Sequence, residues 1–122
     1  MSTIVHFEIP ANDIARARDF YSSLFGWQME KDANSDYWMF RTTDEKGNTV
    51  TGGGLYQRQD PQQPILDYIG VPSGAEYTGK VRELGGQVKV EKTPVPGYGY
   101  FAVCQDTENN TFAIWESNSN AK

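Results

Sequence analysis

The chain states one pattern twice, with the second copy 62 positions after the first. Ile4-Val5-His6-Phe7-Glu8-Ile9-Pro10 is answered by Leu66-Asp67-Tyr68-Ile69-Gly70-Val71-Pro72, apolar positions and closing proline in register, and the same shift carries Gly54 onto Glu116. A duplicated half-domain points to a two-fold architecture with a cleft on the pseudo-axis. It also singles out four positions: His6, Gly54, Tyr68 and Glu116.

Each copy reads as β-α-β-β-β. In the first, residues 3–9 form a strand and Asn12 stands as N-cap of a helix carrying Ile14, Ala17, Tyr21, Leu24 and Phe25 at three- and four-residue spacings, ended by Gly26. Strands follow near 27–31, 37–42 and 50–57, the last two joined by the turn Asp44-Glu45-Lys46-Gly47-Asn48. The polar link 58–64 leads to a strand at 65–71 and to Ser73-Gly74-Ala75-Glu76, which has the form of a capping box. That helix turns Tyr77, Val81 and Leu84 inward and stops at Gly85-Gly86. Strands at 87–92, 98–104 and 111–117, with the turn Asp106-Thr107-Glu108-Asn109-Asn110, complete the second copy, and residues 117–122 read as a frayed tail.

At 122 residues the chain suits one domain, 1–122, with internal modules of about 3–57 and 65–117. Its apolar runs fall far short of the roughly 20 residues that span a bilayer, and no basic stretch precedes an apolar core at the N-terminus, so the expectation is a soluble, cytoplasmic protein. The single cysteine, Cys104, forbids an intrachain disulfide and suits a small buried apolar position. A net charge of −5 with no Lys/Arg stripe argues against nucleic acid as a partner.

Strand alternation puts Ile4, His6 and Glu8 on one face and Val5, Phe7 and Ile9 on the other, which is assigned to the helix. His6, the only histidine, then faces the cleft as ligand or general base, or as a hydrogen-bonded remnant of an older site. Glu116 alternates with Phe112 and Ile114 and is placed in the cleft too, as ligand, base or acceptor for a substrate donor, or as the structural partner of His6. Glu8 either supplements the site or carries a strand-end charge to solvent. Gly52-Gly53-Gly54 lacks the spacing of a phosphate loop and reads as a strand with close backbone approach, leaving open space where a side chain would project. Trp38, Phe40, Tyr56, Tyr68, Tyr98 and Tyr100 divide between core and the lining of an apolar pocket, over which residues 94–99 are expected to act as a lid.

The opening Ile4-Val5-His6-Phe7, the helix end Phe20-Tyr21-x-x-Leu24-Phe25-Gly26-Trp27, and Asp106-Thr107-Glu108-Asn109 before Phe112-Ala113-Ile114-Trp115-Glu116 together resemble the vicinal oxygen chelate superfamily, the glyoxalase, bleomycin-resistance and extradiol dioxygenase group. The resemblance implies an α+β fold: two tandem βαβββ modules forming a half-open, mostly antiparallel eight-stranded barrel with helices outside, around a site that often holds a divalent metal. It implies ligands at the first and last strand of each module, which here are His6, Gly54, Tyr68 and Glu116.

Only His6 and Glu116 of these are ordinary ligands. Gly54 has no side chain, and Tyr68, the candidate third ligand, would bind only as a phenolate. The expected function is therefore a glyoxalase- or bleomycin-resistance-like homodimer binding a small organic molecule in an aromatic-lined cleft, with His6 and Glu116 as anchors and no tightly held metal. The alternative is a lyase, isomerase or dioxygenase of the same superfamily using Ni, Zn, Mn or Fe as a Lewis acid.

Overall fold

The computed structural model describes residues 2–122. It contains eight strands and two helices in the order β1 (Ile4–Ala11), α1 (Ile14–Phe25), β2 (Gln28–Lys31), β3 (Trp38–Arg41), β4 (Gly52–Gln57), β5 (Leu66–Gly70), α2 (Gly74–Glu83), β6 (Gln87–Val95), β7 (Gly99–Gln105) and β8 (Thr111–Ser117). Pairing is mixed and the class is α+β: β1–β4 and β5–β8 are parallel, whereas β2–β3, β3–β4, β6–β7 and β7–β8 are antiparallel. Two compact units result. One is His6–Ile65; the other is Leu66–Lys122 together with the first residues up to Val5.

In the first unit, with strand order β2-β3-β4-β1, the core lies on the α1 side of the sheet. Register pairs Phe7 with Gly53 and Ile9 with Leu55, and Trp38 and Phe40 stand across from Leu55 and Gly53, so these residues share a face. Ile9, Ala11, Phe40 and Leu55 are its buried centre, and Phe7, Ile14, Ala17, Tyr21, Trp27, Met29 and Trp38 pack around them. Trp27 stacks on Phe40 at 4.7 Å between ring centroids. Trp38 and Phe40 are thus core residues beneath α1, not lining of the opposite face, and the Arg18 guanidinium lies 4.5 Å over the Trp38 ring.

The caps differ slightly from expectation. Asp13, not Asn12, is the N-cap of α1, its carboxylate accepting from the Arg16 N–H at 3.0 Å. Asn12 instead accepts from Arg58 Nε. Gly26 closes the helix in the left-handed region at φ 71°, where its N–H reaches the Ser22 carbonyl. Leu24 and Phe25, set at core spacings by the sequence, are more than half exposed, although the Phe25 ring still meets Trp27 at 5.0 Å between centroids.

The second unit has the order β5-β8-β7-β6, and the chain start lies beside its first strand, with Gly70 N–H donating to the Thr3 carbonyl at 2.8 Å. Ser73 caps α2 by accepting from Glu76 N–H, while the Glu76 carboxylate pairs with Lys80 one turn on. Ala102, Cys104 and Ile114 form the buried layer, and burial pushes the Cys104 thiol upward, as suits an inert apolar position. Leu84 stands 78% exposed, since it is the C-cap of α2 rather than part of its inner face.

Two sequence expectations change at the C-terminal end. Residues 94–99 are not a free loop. Pro94 and Val95 extend β6 and pair with Tyr100 and Gly99, leaving a tight turn at Gly97, φ 82°, closed by Tyr98 N–H to the Val95 carbonyl. The tail is docked rather than frayed: Asn118 N–H donates to the Tyr98 carbonyl, Gly97 N–H to the Ala121 carbonyl, and Ala121 is buried. Leu55→Ala should destabilise the protein by about 2–5 kcal/mol in urea unfolding, because Leu55 is fully buried at the centre of the α1-side core.

Candidate functional site

The face of the first unit opposite α1 carries the polar constellation. On β1, His6 and Glu8 alternate with Phe7 and Ile9, and so project away from the core. On β4, Gly54 lies opposite Glu8, and Tyr56 opposite Pro10, on this same face. The space that a glycine leaves at position 54 is not open. The phenol of Tyr37, just before β3, occupies it so closely that a Cβ built on Gly54 would collide with the Tyr37 hydroxyl and ring.

Tyr37 is held there from both ends. Its carbonyl accepts from Asp32 N–H and its own N–H donates to Ser35 Oγ, so the polar turn ahead of β3 fixes its backbone. Its hydroxyl donates to Glu8 Oε2 at 2.8 Å and lies 2.7 Å from His6 Nε2. The phenol ring is near-parallel to His6 at 6.5 Å and faces Tyr56 at 6.3 Å. Glu8, which the sequence left between this face and a solvent-facing strand end, therefore has a side chain only 17% exposed and tied into a hydrogen-bonded chain. His6 Nε2 and Glu8 Oε2 are 3.9 Å apart, too far for a direct hydrogen bond.

Burial holds the His6 imidazole below its ordinary value, with the Glu8 charge offsetting this in part. The Tyr56 phenol is pushed up, first by burial and then by Glu8. Both shifts favour the uncharged forms, a neutral imidazole and a protonated Tyr56 phenol, beside the Glu8 side chain. Nothing in the sequence singled out Tyr37; the signal was the side-chain-free run Gly52-Gly53-Gly54, whose vacated volume some neighbour had to fill.

Glu116 belongs to the second unit. Register sets Glu116 beside Tyr100, on the face shared by Ala102, Cys104 and Ile114, and its Oε1 accepts from Gly74 N–H at 2.7 Å at the start of α2. Lys92 Nζ stands 3.5 Å from the same oxygen and 4.3 Å from the Tyr100 ring centroid. The Glu116 carboxylate satisfies an orphan donor at the positive end of a helix, and Tyr100 belongs to that arrangement. Tyr68 is buried and pairs with Ala113, on the other face of the sheet from Glu116, while Tyr98 sits exposed in the β6–β7 turn.

The reason for the displacement is a single residue of register. The turns repeat at 62: Asp44 and Asp106 each accept from two backbone N–H groups and from the side-chain amide of Asn48 or Asn110. In the strands that follow, Gly54 faces Glu8 and Met39, whereas Gly70 and Phe101, their 62-residue counterparts, face Trp115. Gly54 therefore corresponds in structure to Trp115, and Glu116 to the core residue Leu55. The first module spends one extra residue between Thr49 and Gly52, and a one-residue slip moves a side chain to the opposite face.

Comparison with known proteins agrees with this architecture. Residues 3–43 match the Bleomycin resistance protein-like N-terminal family. A Glyoxylase-like domain-containing protein of Didymella fabae is 30% identical over 115 residues, covering 88% of each chain. The chain belongs to the glyoxalase/bleomycin-resistance group of the vicinal oxygen chelate superfamily.

Anthracycline biosynthesis protein DnrV of Streptomyces peucetius is 27% identical over 123 residues, which cover 89% of this chain and 45% of that protein. The chain thus spans under half the length of the anthracycline relatives it matches. A variant of Streptomyces coelicolor methylmalonyl-CoA epimerase, solved in complex with 2-nitronate-propionyl-CoA, shares the fold at 13% identity with a TM-score of 0.68, covering 98% of this chain and 97% of that one.

The divalent metal that this superfamily often carries finds no matching donor set here. His6 Nε2 is engaged by a phenol, position 54 has no side chain, and Glu116 is tied to α2. Among the described residues no three His, Cys, Asp or Glu side chains gather in a way that could hold an ion. Nor does any described helix have the length and apolarity to cross a membrane.

Two outcomes follow from the geometry. Gly54→Ala should destabilise the fold by driving out the Tyr37 phenol, and the loss should be largely relieved in Gly54→Ala/Tyr37→Ala. A double-mutant cycle in urea should show a coupling of about 1 kcal/mol or more, whereas additive losses would contradict the packing. Because the folded His6 pKa is depressed below 6.5, the unfolded chain binds the proton more readily. The His6 contribution to stability is then present above pH 6.5 and is lost as pH falls through the folded pKa, which comparison with His6→Gln across that window will show.

Proposed function

We propose that this chain is a small-molecule-binding module that engages its ligand on the His6–Glu8–Tyr37–Tyr56 face without a tightly held divalent metal. The observation that carries the reading is the Tyr37 phenol, seated in the space above Gly54 and hydrogen-bonded to both His6 and Glu8. A donor set of this kind offers hydrogen bonds and an aromatic wall, not a Lewis acid. A carboxylate that only accepts, beside phenols that donate and accept, suits a flat aromatic ligand bearing hydroxyl or amine donors.

The anthracycline biosynthesis relatives support an aromatic ligand class, and the epimerase complex supports the capacity of the fold to hold a small organic molecule. On this reading the tyrosine rings pack against the ligand ring and Glu8 accepts from its donors. His6, neutral near pH 7, contributes a hydrogen bond without adding charge. The acidic character of the chain, at net −5, further favours neutral or cationic ligands over anionic ones.

The test is a titration of hydroxylated polycyclic aromatics, with amine-bearing members in the set, followed by tryptophan fluorescence and calorimetry. Saturable one-to-one binding is expected, weakened about tenfold or more in Glu8→Gln, as befits loss of a charge-assisted hydrogen bond. Binding unaffected by Glu8→Gln, or no binding across the set, would refute the assignment. Recovery of one metal ion per chain, lost in His6→Ala, would favour the metal-dependent alternative.

A further inference from the structure

We propose that Tyr37 is the resident substitute for a metal ion in this fold: its phenol holds the ground between His6 and position 54, locks the imidazole in one tautomer, and denies a divalent cation the His6 Nε2 lone pair. The inference deepens the small-molecule reading of this face and rests on it for its functional sense. Its physical content is independent of which ligand binds.

The proton assignment follows from counting hydrogens. A tyrosine hydroxyl carries one proton, and that proton is directed at Glu8 Oε2, 2.8 Å away. The contact of 2.7 Å between the same oxygen and His6 Nε2 is then a hydrogen bond only if the imidazole donates. The chain runs His6 Nε2–H to Tyr37 Oη, and Tyr37 Oη–H to the Glu8 carboxylate. It fixes His6 as the Nε2–H tautomer, with Nδ1 the ring nitrogen that carries the lone pair. Cation binding at Nε2 would have to strip that proton and move the phenol.

The phenol is not placed to move easily. The backbone on either side of its Cα is fastened by the hydrogen bonds to Asp32 and Ser35, and its ring lies between those of His6 and Tyr56. Gly54 is what admits it, since any Cβ at that position would overlap the ring. The glycine that offers no ligand-bearing side chain at position 54 thus also makes room for the group that orients His6. Tyr37 acts here as a positioning residue: it sets what His6 and Glu8 can offer to a ligand.

Because His6 is the only histidine, the imidazole of uniformly 15N-labelled protein can be read without ambiguity by long-range 1H–15N correlation. The wild-type protein should show the Nε2–H pattern at about pH 7–8, above the ordinary imidazole range, unchanged by one equivalent of Zn2+. Tyr37→Phe, which keeps the ring and removes the hydroxyl, should lose the single-tautomer pattern. Gly54→Ala should do the same by displacing the phenol; should that variant not fold, Tyr37→Phe still decides. Zn2+ bound to wild-type His6 with loss of the Nε2 proton, or a Tyr37→Phe spectrum identical to wild type, would overturn the proposal. Neither result touches aromatic ligand binding, which the fluorescence and calorimetric titrations judge separately.

Discussion

Strand β4 can lie between β1 and β3 only because its first three residues carry no side chains. A Cβ at Gly52 would come within 2.6 Å of the Phe40 carbonyl oxygen, one at Gly53 would meet the Phe7 carbonyl and the Phe40 ring, and one at Gly54 would strike the Tyr37 phenol. Real Cβ atoms do not tolerate such approaches, so the run of glycines sets how closely the backbone and the two aromatic rings can pack. On one face it lets Phe40 lie flat against Trp27 within the α1-side core. On the other it lets Tyr37 reach Glu8 and His6.

The polar face inherits its chemistry from that packing. An imidazole and a carboxylate too far apart to bond directly are bridged by a phenol, so each of these groups has a partner and none has to be satisfied by a metal ion. Burial keeps His6 neutral and Tyr56 protonated, which leaves Glu8 as the acceptor of greatest strength on the face. In the second unit the Glu116 carboxylate is held at the start of α2 and beside the Lys92 ammonium. The two halves share turns and element order, but these carboxylates serve different ends: Glu8 accepts from the Tyr37 phenol and Glu116 from the first turn of a helix.

Much of the framework was legible in residue order. The alternation of His6 and Glu8 with Phe7 and Ile9 correctly divided β1 into a polar and a core face, and the repeated Asx turns at Asp44 and Asp106 mark the last hairpin of each half. Gly26 and the Ser73 cap end and begin their helices as their chemistry requires. Where the reading failed, it failed over partners distant in sequence. Trp38 and Phe40 could not be told from pocket aromatics until their register with β4 was known, and the space at Gly54 could not be seen to be filled by a residue from before β3.

The sequence alone determined the family, the β-α-β-β-β order of both halves, and the presence of one histidine with too few ordinary ligands around it. Tertiary structure decided which side chains meet. A 62-residue repeat fixes neighbours along the chain, but the face a strand residue occupies depends on its hydrogen-bonded register, and because the second module lacks the extra residue that precedes Gly52 in the first, Glu116 stands on the helix side while Gly54 stands on the opposite one. Volume acts in the same non-local way: a glycine specifies an absence, and only packing reveals that Tyr37 fills it.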